Sequence, residues 1–274
     1  MDEKKKLSLS EYNGEDKVIT SHELKIILGT QKANITNARS GIPTLDFLMD
    51  GFRDGELITI SGPTKQGKTL LSQTLTVNFA KQHLYPLWFS FEVPARQFLS
   101  QFPQLPLIYM PQRLKARAMD WFEERVWESF AKYNTRIIFI DHLHFLVDLA
   151  RQQQVSLEIG TIIRRLKTLA VEGNFVIFLL CHTKMGKHEG TLSYESIRDS
   201  SFISQESDSV IMIKRTPGDG DNTAMARVEF HRRTGVMEKT VNLIKKGGLL
   251  HETASELVGN SDGQSARGDI SGRH

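Results

Sequence analysis

The stretch from Gly62 to Thr69, "GPTKQGKT", constrains this chain more than any other feature. A Gly-x-x-x-x-Gly-Lys-Thr run needs a strand before it and a helix directly after it. Only then do successive backbone N–H groups converge on a bound phosphate. The flanks comply: "ELITIS" reads as a buried strand and "TLLSQTLTVNFAKQ" as a helix. Gly62, Pro63, Thr64, Lys65, Gln66, Gly67, Lys68, Thr69 and Leu70 are therefore candidate nucleotide contacts. The helix N-terminus favours negative charge. Lys68 is placed to bridge the β- and γ-phosphates, and Thr69 to ligand a metal. The expected cofactors are ATP and Mg²⁺.

Around this loop the chain alternates strand-like and helix-like segments. "YPLWFSFE", "RIIFID", "NFVIFLLCH", "SDSVIMIK" and "MARVEFH" join "ELITIS" as strands, about six in all. "RAMDWFEERVWESFAKY" reads as a helix. In "SLEIGTIIRRLKTLAVEG", Leu157, Ile162, Ile163, Leu166, Leu169 and Ala170 recur at helical spacing and predict one buried face. The alternation predicts an α/β fold with a mostly parallel central sheet flanked by helices. Three regions are expected. Residues 1–40 form a flexible arm plus a short helix, "SHELKIILG", with Ser21 as cap and Gly29 as stop; residues 41–252 form the main domain; residues 253–274 form a disordered polar tail.

Three acid or imidazole groups fall at predicted strand ends, the edge where ligands bind in such sheets. Asp141 ends "RIIFID" and is a candidate metal-organising carboxylate. Glu92 ends "YPLWFSFE" and reads either as a general base or as a surface acid beside Pro94. His182 follows "FVIFLLC" and is either a hydrogen-bonding sensor of the γ-phosphate or a structural histidine. His142 and His144 flank Asp141 but, on one segment without a third ligand, do not make a metal site.

Composition adds bounds rather than a function. A hydrophobic fraction of 39% and a formal charge of +3 suit a soluble domain with a real core, and the charge is too small to argue for nucleic acid. The one cysteine, Cys181, excludes an intramolecular disulfide and a thiolate zinc site, and its apolar setting predicts a buried, inert thiol. No stretch has the length of a bilayer span, and the N-terminus lacks a signal-peptide core, so a cytoplasmic protein, or one of the nucleoid or an organelle matrix, is expected.

Taken together, from about Gly41 to Leu250, these stretches resemble the RecA-like ATPase domain of the DnaB-type hexameric replicative helicases and phage primase–helicases. "FSFEVP" resembles their segment with the catalytic glutamate, "IFIDHLHFL" their metal-site strand, and "VIFLLCHTK" their sensor strand, where phage members carry His. "LSYESIRDSSFISQESDSVIMIKR" resembles the segment whose loop holds single-stranded DNA. The matching positions are Arg198, Asp199, Ser200 and Ser201, supported by Gln205 and Asp208, with Ser201 standing where Gly is usual. "VEFHRRTG" resembles the stretch with the arginine finger, Arg233, supplied to the neighbouring subunit; His231 stands where Lys is usual, and Arg232 reads as a solvated neighbour. A bacterial-type N-terminal domain and a primase domain are expected to be absent, and the segment from Glu92 to Asp141 is short. "SHELKIILG" matches the linker helix that packs on the next subunit.

The resemblance implies an ATP-dependent motor on single-stranded DNA, a DNA-replication helicase of the 5′-to-3′ type. It would act as a homo-oligomeric ring, a hexamer, with ATP hydrolysed at subunit interfaces and a primase or loader as possible partner. The alternative is a recombination mediator or regulatory ATPase of the RecA, RadA or KaiC kind, which binds DNA without unwinding it. A third reading is a nucleotide-gated assembly protein that does not hydrolyse ATP.

Overall fold

The computed structural model describes residues 5, 10–14, 16–30, 37–147, 155–182, 201–216 and 222–253. The chain forms two compact units, Met1–Thr36 and Asn37–His274. The first contains helix α1 (Ser21–Thr30), which passes through Gly29 rather than stopping there. Its start is fixed by Thr20, not Ser21. Thr20 Oγ1 accepts from the Glu23 backbone N–H (3.2 Å), and a Glu23 carboxylate oxygen accepts from the Thr20 backbone N–H (2.9 Å). This reciprocal pair is a capping box. Leu24, Ile26, Ile27 and Leu28 are exposed on α1.

The second unit is built on an eight-stranded sheet. In chain order its strands are β3 (Leu57–Gly62), β4 (Leu87–Ser90), β5 (Ile137–Asp141), β6 (Val176–His182), β7 (Ser209–Arg215), β8 (Thr223–His231), β9 (Met237–Lys246) and β10 (Leu249–Glu252). Two short strands, β1 (Asn37–Ala38) and β2 (Phe52–Arg53), pair separately. Across the sheet the order is β10-β9-β8-β7-β3-β6-β5-β4. The pairings from β7 through β3, β6 and β5 to β4 are parallel, and those from β7 out to β10 are antiparallel. The expected α/β architecture holds, and the six expected strands are present. The β9–β10 hairpin extends the sheet beyond them.

Residues buried on both sides of the parallel strands explain their near-continuous apolar runs. On one face, Ile58, Ile60, Trp88, Phe139 and Phe178 pack with Leu71, Leu75 and Phe79 of helix α3 (Lys68–Lys81). Helices α2 (Pro43–Met49) and α4 (Ala95–Ser100) contribute Leu45, Met49 and Phe98 to this layer. On the other face, Ile138, Ile140, Ile177 and Leu179 pack with Phe122 and Val126 of α5 (Met119–Tyr133) and with Ile159, Ile163 and Leu166 of α6 (Val155–Gly173). Leu157 of α6 is exposed and off the predicted face, while Ile159 takes its place in the core.

The aromatic side chains at the centre follow strand register. Trp88 pairs with Phe139, and Phe139 with Phe178. Their rings stack with centroids 4.5 Å apart in both pairs. The Trp88 indole N–H donates to Thr76 Oγ1 (3.0 Å), so this large buried side chain leaves no polar atom unsatisfied. A short helix α7 (Ser201–Glu206) precedes β7. No helix among the described residues is long and apolar enough to cross a membrane.

Candidate active site at the carboxyl edge of the sheet

The chain order places the site. From β3 the chain crosses to the far edge at β4, returns through β5 and β6 to β3's side, then passes to β7 on the other flank. The carboxyl ends of β3 to β6 therefore open on one crevice. Register fixes who meets whom: Gly62 lies opposite His182, Asp141 opposite Leu180, and Ser90 opposite Asp141. The Asp141 carbonyl accepts from the backbone N–H groups of Phe91 (2.7 Å) and Glu92 (3.2 Å). Glu92 thus lies two residues beyond its strand, tied by its backbone to the end of β5.

Local conformation shapes the phosphate loop. Lys65 and Gly67 have positive φ, +63° and +104°, curling Gly62 to Thr69 into a concavity of the kind that gathers N–H groups around an anion. A side chain at Gly67 would be strained in that conformation. At Gly62 the constraint is space, since an added Cβ would come within 2.3 Å of the Ile213 carbonyl oxygen. Gly67 caps α3 and supplies no side-chain acceptor to its first turn. Those N–H donors are what a phosphate would satisfy. Gln66 accepts from the Arg215 backbone N–H (2.8 Å), pinning the loop's tip to β7. Pro63 and Gln66 are half-buried, Thr64 and Lys65 exposed, and Leu70 half-buried in the first turn of α3.

Lys68 is folded over the loop. Its Nζ donates to the carbonyl oxygens of Gly62 and Pro63, both at 2.9 Å. Burial lowers its pKa, a change partly opposed by the charges of Glu92 and Asp141. Thr69 Oγ1 donates to Asp141 Oδ2 at 3.0 Å. Asp141 is buried, and its other oxygen, Oδ1, has no hydrogen-bond partner. Burial, with the nearby Glu92 carboxylate acting in the same direction, pushes the Asp141 pKa up to about 7. A buried carboxylate with one orphaned oxygen, beside a threonine hydroxyl at the mouth of a phosphate loop, fits a hard divalent cation such as Mg²⁺.

His182 closes the other side. Its Nε2 stands 3.8 Å from a Glu92 carboxylate oxygen. Its ring meets that of His142 edge to face, with centroids 4.6 Å apart. Burial holds the His142 pKa down, at about 3, with His182 and His144 adding to the effect. The Cys181 thiol is buried as expected and pushed up to about 12 by burial, so it is inert.

Arg233 sits elsewhere. β8 runs antiparallel to β7, and His231 at its end lies opposite Ser209, which lies opposite Ile58 near the start of β3. Arg233 is thus at the amino edge of the parallel strands, away from its own phosphate loop. Its guanidinium donates to Glu56 (2.8 Å), Asp50 (3.2 Å) and the carbonyls of Met49 (2.8 Å) and Gly51 (2.9 Å). Burial pushes the Glu56 carboxyl up, but hydrogen bonds from His231, Arg233 and the Arg53 backbone outweigh it and hold the pKa low. His231 is buried and hydrogen-bonded to Thr234 (2.7 Å), so in this arrangement it has no exposed surface to offer another subunit. Arg232 is exposed, in keeping with a solvated neighbour, and its guanidinium donates to the Gln205 carbonyl.

Arg198, Asp199 and Ser200 lie outside the described residues, and Ser201 is the first residue of α7. Of their supports, Gln205 belongs to α7, and Asp208 accepts from the Leu57 backbone N–H (2.8 Å) and from Lys167 (2.6 Å). The Glu56–Asp50 cradle of Arg233 was not legible in the sequence, because no spacing links positions so far apart. The place of His142 beside His182 and Glu92 was missed for the same reason: the partners arrive on other strands.

A family model described as the DnaB-like helicase C terminal domain matches residues 108–246, and one described as KaiC matches residues 38–107. A probable replicative DNA helicase of Trieres chinensis is 24% identical over 229 residues, covering 70% of this chain and 50% of that protein. The chain thus spans about half the length of this curated relative. A solved ATPase domain superposes with a TM-score of 0.70 at 17% identity, over 85% of this chain and 96% of that one. The solved structure of a DnaB-like replicative helicase, described with its interactions with primase, gives 0.68 at 18% identity, over 91% and 70%. The fold is that of a RecA-like ATPase domain, and with a family match spanning just over half of its sequence the chain belongs to the DnaB-like helicase C-terminal domain family.

Proposed function

We propose that this chain is the motor domain of a replicative-type DNA helicase, an ATP hydrolase that moves on single-stranded DNA as a homo-oligomeric ring. One observation carries the reading. Loop, lysine, threonine–aspartate pair, glutamate and histidine converge at one edge of the sheet, while Arg233 stands at the other edge, away from its own loop, which supports a role toward another subunit's nucleotide.

The chemistry follows from these groups. The γ-phosphate draws Lys68 Nζ away from the Gly62 and Pro63 carbonyls and favours the ammonium form that burial disfavours. Thr69 and Asp141 would hold Mg²⁺, which when bound neutralises charge on the β- and γ-phosphates. Glu92 accepts a proton from the attacking water as its oxygen bonds phosphorus and ADP leaves. His182 reports the γ-phosphate by hydrogen bonding. Arg233 of the adjacent subunit would leave its Glu56–Asp50 cradle to meet the charge of the transition state. A hexamer is the ring size we favour, with α1 and its exposed Leu24, Ile27 and Leu28 docking on the next subunit. The segment with Arg198, Asp199, Ser200 and Ser201 would hold the DNA backbone through N–H groups and one guanidinium. A primase or a loader is the expected protein partner.

ATPase activity titrated with single-stranded DNA across a range of salt tests the motor. Stimulation that weakens as salt rises is expected; no stimulation at any salt sinks it. The KaiC-like match over residues 38–107 keeps a second reading, an ATPase that binds DNA without unwinding it. Strand displacement on forked DNA separates the two.

A further inference from the structure

His142, His182 and Glu92 come from the ends of three different strand segments, yet their ligand atoms all lie within 4.8 Å of one another. His182 Nε2 and the nearer Glu92 oxygen are 3.8 Å apart, and the two imidazoles meet edge to face. A tetrahedral ion with bonds of 2.0–2.1 Å needs its ligands about 3.3 Å from each other. Glu92 is exposed and free to swing in by the remaining distance. The bond that His142 Nδ1 accepts from the His144 backbone N–H is long, 3.3 Å, so ligation through either ring nitrogen forfeits little.

We propose that Glu92, His142 and His182 form a second cation site, distinct from the Thr69–Asp141 position and selective for a transition metal of the Zn²⁺ class. Two imidazoles and one carboxylate suit Zn²⁺, Co²⁺ or Ni²⁺, whereas Mg²⁺ demands an oxygen shell that Thr69, Asp141 and phosphate can offer and this trio cannot. Occupancy takes Glu92 and His182 together. On the proposed hydrolytic reading the metal therefore inhibits: the carboxylate that should accept water's proton becomes a ligand, and the histidine that should meet the γ-phosphate is fixed. Metal binding itself needs no part of that reading.

The full chain without nucleotide is titrated with Co²⁺, following the visible absorption of the bound ion, and Zn²⁺ affinity is read by competition with a chromophoric chelator. One strong site is expected in the wild type. His142→Gln should weaken it about 10-fold or more, with an unchanged melting temperature showing that the fold is intact. Glu92→Gln, on the exposed ligand, is the second variant should His142→Gln not fold. Equal affinity in wild type and in a folded variant overturns the site. Mg²⁺-ATPase at buffered free Zn²⁺ is the second arm, with half-inhibition expected near the measured Zn²⁺ affinity and displaced by the same factor in His142→Gln. A strong site without inhibition overturns the inhibitory role and leaves the metal site standing. A metal-free protein that never hydrolyses ATP defeats the hydrolytic reading, while the Co²⁺ titration still decides the site.

Discussion

Asp141 shows what burying a single carboxylate costs. Its folded pKa, about 7, lies above the ordinary value of 3.8. Between those values the folded protein binds the extra proton, so the contribution of this one group to stability falls as pH rises from about 4 to about 7, while His142, held down at about 3, contributes in the opposite sense over much of that range. The loss from Asp141 alone is on the order of 4 kcal/mol. Asp141→Asn should remove this contribution, so that its stability relative to the wild type rises between about pH 4 and about pH 7, while Mg²⁺-dependent nucleotide binding is abolished. Thermal melts across pH and a fluorescent-nucleotide titration read both; a slope unchanged in the variant would assign the pH dependence elsewhere. At this scale the sequence was most informative for the phosphate loop, since eight consecutive residues carry its chemistry. Asp141 and His182 were legible only as ends of apolar runs. The cradle around Arg233 was invisible, because Glu56 and Asp50 look like ordinary polar positions before a strand.

Elements were legible where burial imposed a pattern. The parallel strands β3 to β7 are apolar on both faces, and α6 repeats at helical spacing, so each announces itself. β9 does not. Only Val241 and Leu243 are buried there, and Lys239, Lys245 and Lys246 line a strand near the sheet's edge. Charged side chains of that kind discourage unwanted pairing and also hide the strand from a hydrophobic reading. Thr20 was passed over as the cap of α1 because Ser21, one residue on, has the same chemistry. The Trp88–Phe139–Phe178 stack knits β4, β5 and β6 in one layer, directly beneath the ends that carry Glu92, Asp141 and His182. Phe139→Ala should therefore cost about 3–5 kcal/mol, read by denaturant unfolding. It should also weaken nucleotide binding in the fraction still folded; a loss below 1 kcal/mol would mean the layer relaxes around the gap.

Over the whole molecule, the phosphate loop and Arg233 occupy opposite edges of one sheet, so the proposed catalytic set is divided between neighbours. Lys68→Ala should not bind ATP, and Arg233→Ala should bind it yet turn it over slowly. Mixed in equal amounts, the two proteins should regain about a quarter of wild-type ATPase, because a random quarter of interfaces pair an intact loop with an intact arginine. A mixture no more active than its parts would place the arginine's work within its own subunit. The same division sets a counting rule. An open row of subunits always ends with one loop that no arginine serves and one arginine with no loop to serve, and only closure removes both vacancies. Dilution should then silence this protein as effectively as an inhibitor, and the step that seals the row would be its start switch.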